Sequence, residues 1–421
     1  MDRLIVEGGI PLHGAVEISG AKNSTLPLMA ASLLADSPVT LKGVPSLMDV
    51  DTMMLVLHTI GADVVRQGDD LIIDPANFKV HEAPYNLVRK MRASIYVLGP
   101  MVGRLKKARV SMPGGCVIGR RPIDLHLKGL EALGAEVDVS HGYIVVNNPG
   151  LKGAEFSLAG PNGSSVGATC NTLMAAVTAE GRTVIRGAAR EPEVRDLVDL
   201  LREMGANVEM EDSTIIVEGV EQLHGAKHDI IPDRIEAGTY MVAAVITRGD
   251  VTLKNCHLPH MEEVVNKLRE VGAKIEPVVG GARCCFTNGD KLMPTNIRTL
   301  PYPGFPTDLQ AQFTALLSLA KGDSTVTETI YAERFMHVAE LARMGADISL
   351  YNSTATICGV DKMSAAPVMA TDLRASAALI MAALAAEGET EILRVYHIDR
   401  GYEHIEKKLQ GLGAKIRREP Q

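Results

Sequence analysis

The sequence predicts an α/β protein built from six copies of a βαβαββ unit of about 70 residues, three copies to a domain. Three observations carry this expectation. A Leu-x3-Gly-Ala phrase recurs six times, a helix of small apolar residues stands upstream of each copy, and strand-like runs follow both.

The recurring phrase reads LHTIGADVV from Leu57, LEALGAEVDV from Leu130, LREMGANVEM from Leu201, LREVGAKIEP from Leu268, LARMGADISL from Leu341 and LQGLGAKIRR from Leu409. Its glycines, at 61, 134, 205, 272, 345 and 413, are 73, 71, 67, 73 and 68 residues apart. A glycine in the left-handed conformation after a last helical turn, followed by a strand, accounts for the phrase.

The upstream helices are expected at 24–36, 92–105, 165–181, 236–249, 307–322 and 371–388. They are apolar nearly all round, and such helices are normally buried. A helix layer covered by sheets would bury them, which inverts the usual α/β order. The alternative, an α-helical solenoid, is disfavoured by the strand content, such as SPVTLKGV, KARVSMPG and GRTVIRGA. A third phrase leads into most of these helices: LHGAVEISG (12–20), LKGAEFSLAG (151–160), LHGAKHDIIP (223–232), LMPTNIRTLP (292–301) and the weaker MSAAPVMATD (363–372). The segment before Arg92 is the poorest copy. Repeat counting divides the chain three and three near 220–235, and a length of 421 residues by itself suggests two or three domains.

Composition narrows the function. Hydrophobic residues make up 46% and charged residues 22%, a globular balance, so the chain is not a disordered one. A net charge of −8 argues against nucleic-acid and anionic-membrane partners but leaves room for a local cationic site. The opening MDRLIVEGGIPLHG has no apolar h-region, and the most apolar stretch, 373–386, is too short to span a bilayer. The cysteines at 116, 170, 256, 284, 285 and 358 form no CxxC pair and no metal-ligand spacing, which fits reduced thiols in the cytoplasm. No P-loop or dinucleotide-binding glycine motif is present, so neither a metal nor an organic cofactor is expected.

Candidate anion-binding points lie at expected helix starts. Lys22 and Asn23 precede a helix opening at Ser24, Ser164, Ser165, Val166 and Gly167 open another, and Thr307-Asp308 and Thr371-Asp372 open two more. Backbone N–H groups at such termini bind phosphate and carboxylate. Each taken alone is more simply a cap, but several carry Lys, Arg or Asp beside it.

Cys116 lies in PGGCVIGRR. A free cysteine is more often a small buried hydrophobe. Here Gly114, Gly115 and Gly119 argue for an exposed loop, and Arg120 and Arg121 can lower a thiol value of about 8.5. That suits a proton donor or a nucleophile. The other five cysteines lack this setting and read as structural. Arg121, Pro122, Ile123, Asp124 and Leu125 can sandwich a flat ring and read its edge; a turn before a helix would also use them. Arg334, Arg374 and Arg400 are suited to planar recognition of carboxylate or phosphate, or else to salt bridges.

The strings GAKNSTLP (20–27), MPGGCVIGRRPIDLH (112–126), GFPTDLQAQF (304–313), ERFMHV (333–338), ATDLRASA (370–377) and YHIDRGYE (396–403) resemble the enolpyruvyl transferase family, and the likeness spans essentially the whole chain. The resemblance implies two inside-out α/β domains of three repeats each, with the active site in the interdomain cleft. Residues 21–232 would form one, carrying Lys22 and Cys116. Residues 1–20 with 233–421 would form the other, carrying Asp308 and Arg400.

The resemblance further implies transfer of the enolpyruvyl group of phosphoenolpyruvate to the 3-hydroxyl of UDP-N-acetylglucosamine. Phosphate leaves by addition and elimination, in the first committed step of peptidoglycan precursor synthesis. Lys22 and Asn23 would hold phosphoenolpyruvate, and Cys116 would act as general acid and form a covalent adduct. Arg92, the run Arg121 to Leu125, and Ser165, Val166 and Gly167 would hold the nucleotide sugar. Asp308 would take the proton of the sugar hydroxyl, and Ile330 would contact the sugar. Arg334, Arg374 and Arg400 would surround the pyruvyl carboxylate and phosphate. One departure is Gly163, where the family often carries a lysine near the diphosphate. Two rivals remain. A shikimate-3-phosphate-using branch shares Lys22 and the repeats but lacks the cysteine loop, and a non-catalytic nucleotide-sugar sensor would bind without releasing phosphate.

Overall fold

The computed structural model describes residues 2–112, 123–161, 163–286, 289 and 291–420, so Cys116, Arg121 and Pro122 lie outside the described residues. The chain divides into two compact units. One runs from Gly20 to Ile231; the other unites the residues up to Ser19 with those from Pro232 onward.

Six four-stranded sheets share one order. In the third repeat, Glu155–Ser157 runs parallel to Arg182–Arg186, which pairs antiparallel with Thr214–Glu218, and that strand forms a hairpin with Asn207–Glu211. The phrase glycines do what a helix-to-strand turn demands: Gly61, Gly134, Gly205, Gly272, Gly345 and Gly413 all have φ between +91° and +113°. Even the poorest copy keeps its lead strand, with Glu82 and Ala83 parallel to Arg109 and Val110.

The small-residue helices form the buried layer of each unit. In the first unit these are Lys22–Ala31, Leu98–Leu105 and Val166–Ala176; in the second, Arg234–Ile246, Gln310–Leu317 and Leu373–Ala385. All eight residues of Gln310–Leu317, and every residue from Ile235 to Ile246, are buried. Small residues permit this. A Cβ on Gly99 would stand 2.5 Å from the Asn171 carbonyl oxygen, and one on Gly238 would stand 2.5 Å from Leu309 Cδ1.

The expected helices differ in detail from the observed ones. The first starts at Lys22 rather than Ser24, after an uncapped Ala21. The second opens as a 3-10 turn, Arg92–Val97, before Leu98–Leu105. The fifth opens as a 3-10 turn, Thr307–Leu309, and ends at Leu317.

The lead strands of the first and fourth repeats are exchanged. His13–Glu17, which precedes the first helix in sequence, pairs parallel with Asp250–Lys254, so it belongs to the unit from Pro232 onward and not to that of the helix it precedes. Lys227–Asp229, which precedes the fourth helix, pairs parallel with Val39–Lys42. The N-terminal strand Asp2–Glu7 lies between Glu389–Leu393 and Lys415–Pro420 and completes the sixth sheet. No helix among the described residues is long and apolar enough to cross a membrane.

Candidate active site

The expected site residues fall into a group in each unit. In the unit from Gly20 to Ile231, Lys22 and Asn23 are the first two residues of their helix. The amides of Ser24 and Thr25 are already committed to the Ala21 carbonyl. The Lys22 ammonium meets Asp49 Oδ2 at 2.7 Å, with both side chains largely buried. Asp49 lies in the first turn of Met48–Thr59, where the helix dipole favours its charge.

The third buried helix has the cap its sequence promised. Ser165 Oγ accepts from the Ala168 N–H at 3.3 Å, ahead of Val166 and Gly167. Behind this start lies His126, which sequence reading did not single out although it closes the RRPIDLH string. Asn171 Nδ2 donates to His126 Nδ1 at 2.9 Å and to the Ile95 carbonyl at 3.1 Å. Burial, helped by the charge of Arg92, lowers His126 to about 3, so its ring is neutral. A Cβ on Gly167 would stand 3.0 Å from the ring, so glycine lets the helix start and the imidazole approach. Arg92, His126 and the Ser165–Gly167 turn are thus one neighbourhood. Asp124 and Leu125 begin the helix Asp124–Ala132, just after Ile123. Gly163 has φ +92°, a conformation that a lysine side chain would strain.

In the other unit, Asp308 does not act as a helix cap, the ordinary alternative for an acid at a helix start. The Thr307–Leu309 turn follows Pro306 with no side-chain cap, and the carboxylate is instead clamped by two guanidinium groups. Arg334 Nη1 donates to Oδ1 at 2.7 Å, and Arg374 Nη2 donates to Oδ2 at 2.8 Å. Burial pushes the Asp308 carboxyl up, but Arg374 and Arg334 overcome it and hold the group well below the usual carboxylate range. Arg374 sits in the first turn of Leu373–Ala385, where Asp372 Oδ1 accepts from the amides of Arg374 and Ala375. Its guanidinium lies over the Tyr402 ring, 5.5 Å from the centroid.

A buried carboxylate that sequence reading missed organises this group. Glu328, 1% exposed, accepts from Thr299 Oγ1, Thr307 Oγ1 and the amides of Ile330 and Tyr331. Thr307 Oγ1 in turn accepts from Arg334 Nη1 at 2.9 Å. Glu328 therefore sets both the turn at Ile330 and the threonine beside Asp308. Its only sequence signal was an acidic residue at the end of a strand-like run, TVTETI. Arg400 ends the 3-10 turn Val395–Arg400. His397 in that turn is held below its ordinary value, first by burial and then by the charge of Arg400.

The remaining cysteines are mixed. Burial pushes the Cys170 and Cys284 thiols well above their ordinary value, so neither is a ready thiolate, whereas Cys358 is exposed. Among the described residues no group of three or more His, Cys, Asp or Glu side chains could hold a metal ion.

Residues 6–409 match the model of the EPSP synthase (3-phosphoshikimate 1-carboxyvinyltransferase) family. The chain belongs to this enolpyruvyl transferase family. Among the relatives of this enolpyruvyl transferase are two proteins named UDP-N-acetylglucosamine 1-carboxyvinyltransferase. One, from Desulfatibacillum aliphaticivorans, is 53% identical over 420 residues, covering 99% of this chain and 100% of the relative. The other, from Desulfosudis oleivorans, is 52% identical over 419 residues, covering 99% of each. The solved enolpyruvyl transferase NikO from Streptomyces tendae shares the fold at a TM-score of 0.89 and 24% identity, covering 99% of this chain and 98% of NikO. An EPSP synthase from Acinetobacter baumannii shares it at 0.77 and 18%, with full coverage of both chains.

Proposed function

We propose that this enolpyruvyl transferase moves the enolpyruvyl group of phosphoenolpyruvate onto the 3-hydroxyl of UDP-N-acetylglucosamine and releases phosphate. Full-length relatives above half identity carry that activity in their names, which favours the UDP-sugar acceptor over shikimate-3-phosphate. The observation that carries the chemical reading is the clamped carboxylate of Asp308.

Arg334 and Arg374 keep Asp308 ionised at neutral pH, so it is a proton acceptor from the start. Both of its oxygens are engaged, and an anionic substrate that draws an arginine away frees the carboxylate to take the hydroxyl proton. The same arginines then face the pyruvyl carboxylate or phosphate, where their planar forks suit two oxygens at once. Cys116 delivers a proton to C3 of phosphoenolpyruvate while the sugar oxygen bonds to C2. Elimination then breaks the C2–O bond to phosphate and removes one C3 proton, regenerating the vinyl ether. Lys22 and Arg400 supply positive charge to the leaving phosphate, and Asn23 helps hold it. Arg92, the run Arg121 to Leu125, and Ser165 to Gly167 hold the nucleotide sugar, and Ile330 contacts the sugar. A cytoplasmic location follows from where these two substrates are made.

The test is phosphate release from phosphoenolpyruvate with each acceptor in turn. Release that requires UDP-N-acetylglucosamine, and is abolished in Cys116→Ala, is the expected result. Release with shikimate-3-phosphate instead, or tight nucleotide-sugar binding without release, would overturn it.

A further inference from the structure

The helix that begins with Lys22 and Asn23 is fastened from behind by a buried ionic chain. Ser24, with no exposed surface, donates its hydroxyl to Asp196 Oδ2. Asp196, 3% exposed on Pro192–Glu203, accepts at Oδ1 from His228 Nε2 at 2.9 Å. The other ring nitrogen of His228 meets Glu203 Oε2 at 3.0 Å. The Ile231 amide reaches Asp196 Oδ2 at 3.5 Å. Ionised carboxylates only accept, so both ring nitrogens must donate, and His228 is an imidazolium. Burial works against that charge, but the bonds to Asp196 and Glu203 win and raise its proton affinity above the ordinary value.

The corresponding place in the other unit holds a lock of different chemistry. Glu236, third in its helix as Ser24 is in its own, takes Lys408 Nζ at 2.8 Å and the Ser19 amide at 2.7 Å. An ammonium does not titrate near neutrality, whereas an imidazolium does. The groups facing His228 are Asp196 and Glu203; on its own strand, Asp229 is occupied with Lys42 at 3.8 Å.

We propose that Asp196 and His228 are positioning residues for the phosphate-binding start of the helix Lys22–Ala31. The imidazolium neutralises buried Asp196, Asp196 fixes Ser24, and Ser24 sets the first turn that presents Lys22 and Asn23. The assignment of phosphoenolpyruvate to that helix start rests on the function proposed above.

His228→Gln removes the charge and keeps a donor. The expected result is a rise of about tenfold in KM for phosphoenolpyruvate, with the KM for the nucleotide sugar within about twofold of the parent. In the parent, KM for phosphoenolpyruvate climbs as pH rises through the titration of His228, which lies above that of an ordinary histidine; in the variant it stays flat. Ser24→Ala, which deletes only the hydroxyl, should show the same split if the first variant folds poorly. Parental KM values at every pH, or equal rises for both substrates, overturn the proposal. Carbon-13 NMR of the histidine rings gives an arm independent of turnover: a His228 ring that loses its proton at or below the pH of an ordinary histidine also overturns it. A parent that releases no phosphate sinks only the functional reading, and the NMR arm then decides the ionic chain alone.

Discussion

Asp308→Asn tests the arginine clamp directly. The substitution keeps the shape and one acceptor but deletes the charge that two guanidinium groups share. Arg334 and Arg374 keep only 7% and 4% of their side-chain surface exposed, so neither can turn to water for compensation. Breaking such a pair costs about 3–5 kcal/mol, because it leaves uncompensated buried charge. For a unit of this size, each kcal/mol lowers the melting temperature by about 2–4 °C. The unit carrying Asp308 should therefore melt roughly 6–20 °C lower by calorimetry, and kcat should fall by at least about a hundredfold with the acceptor base gone. Adding Arg374→Met should recover part of the stability but none of the activity, since it removes one of the stranded cations. An unchanged melting temperature in Asp308→Asn, or strictly additive losses in the double variant, would refute the clamp.

Glu328→Gln should raise KM for the nucleotide sugar and cost about 1.5–3 kcal/mol, because an amide cannot accept all four of the bonds that Glu328 holds; urea melts and initial rates check this. Asp49→Asn should raise KM for phosphoenolpyruvate, since the Lys22 ammonium loses the carboxylate 2.7 Å away that orients it; a KM equal to the parent's would show that Lys22 needs no such anchor. Ser165→Ala should cost about 1 kcal/mol through the lost cap on Val166–Ala176, read by denaturant melting. Acid should destabilise the first unit before its carboxylates titrate. His126 is lowered to about 3 in the fold, so the unfolded chain takes up its proton first, and stability falls as pH drops from about 6.5 towards 3. His126→Gln should flatten that slope; a slope identical to the parent's would assign it to other groups.

The repeat glycines and the small-residue helices were legible because both are local: a positive φ after a helix and an all-round apolar surface leave marks within a dozen residues. The exchange of lead strands was not, because LHGAVEISG and LHGAKHDIIP are near-copies, and nothing within either says which sheet edge takes it. Lys22 and Ser165 were singled out beside expected helix starts, and Arg92, Arg334 and Arg374 through the family strings and the chemistry of arginine. Asp308 was singled out for its place, but its clamp was not legible, since its partners lie 26 and 66 residues away. Asp49, His126, Glu328 and the pair Asp196–His228 were missed for the same reason. Each matters through a partner far along the chain, and an isolated acid or histidine carries no mark of that.

The placing of Asp2–Glu7 in the last sheet and of His13–Glu17 beside Asp250–Lys254 fixes an order of assembly during synthesis. At about 5–20 residues per second, the first strand leaves the ribosome roughly 20–80 s before its C-terminal neighbour exists. Residues 20–231 can meanwhile close all three of their own sheets. The opening segment is thus a pair of waiting strands, and a chain cut short before Lys415 would leave an open sheet edge ready for another molecule.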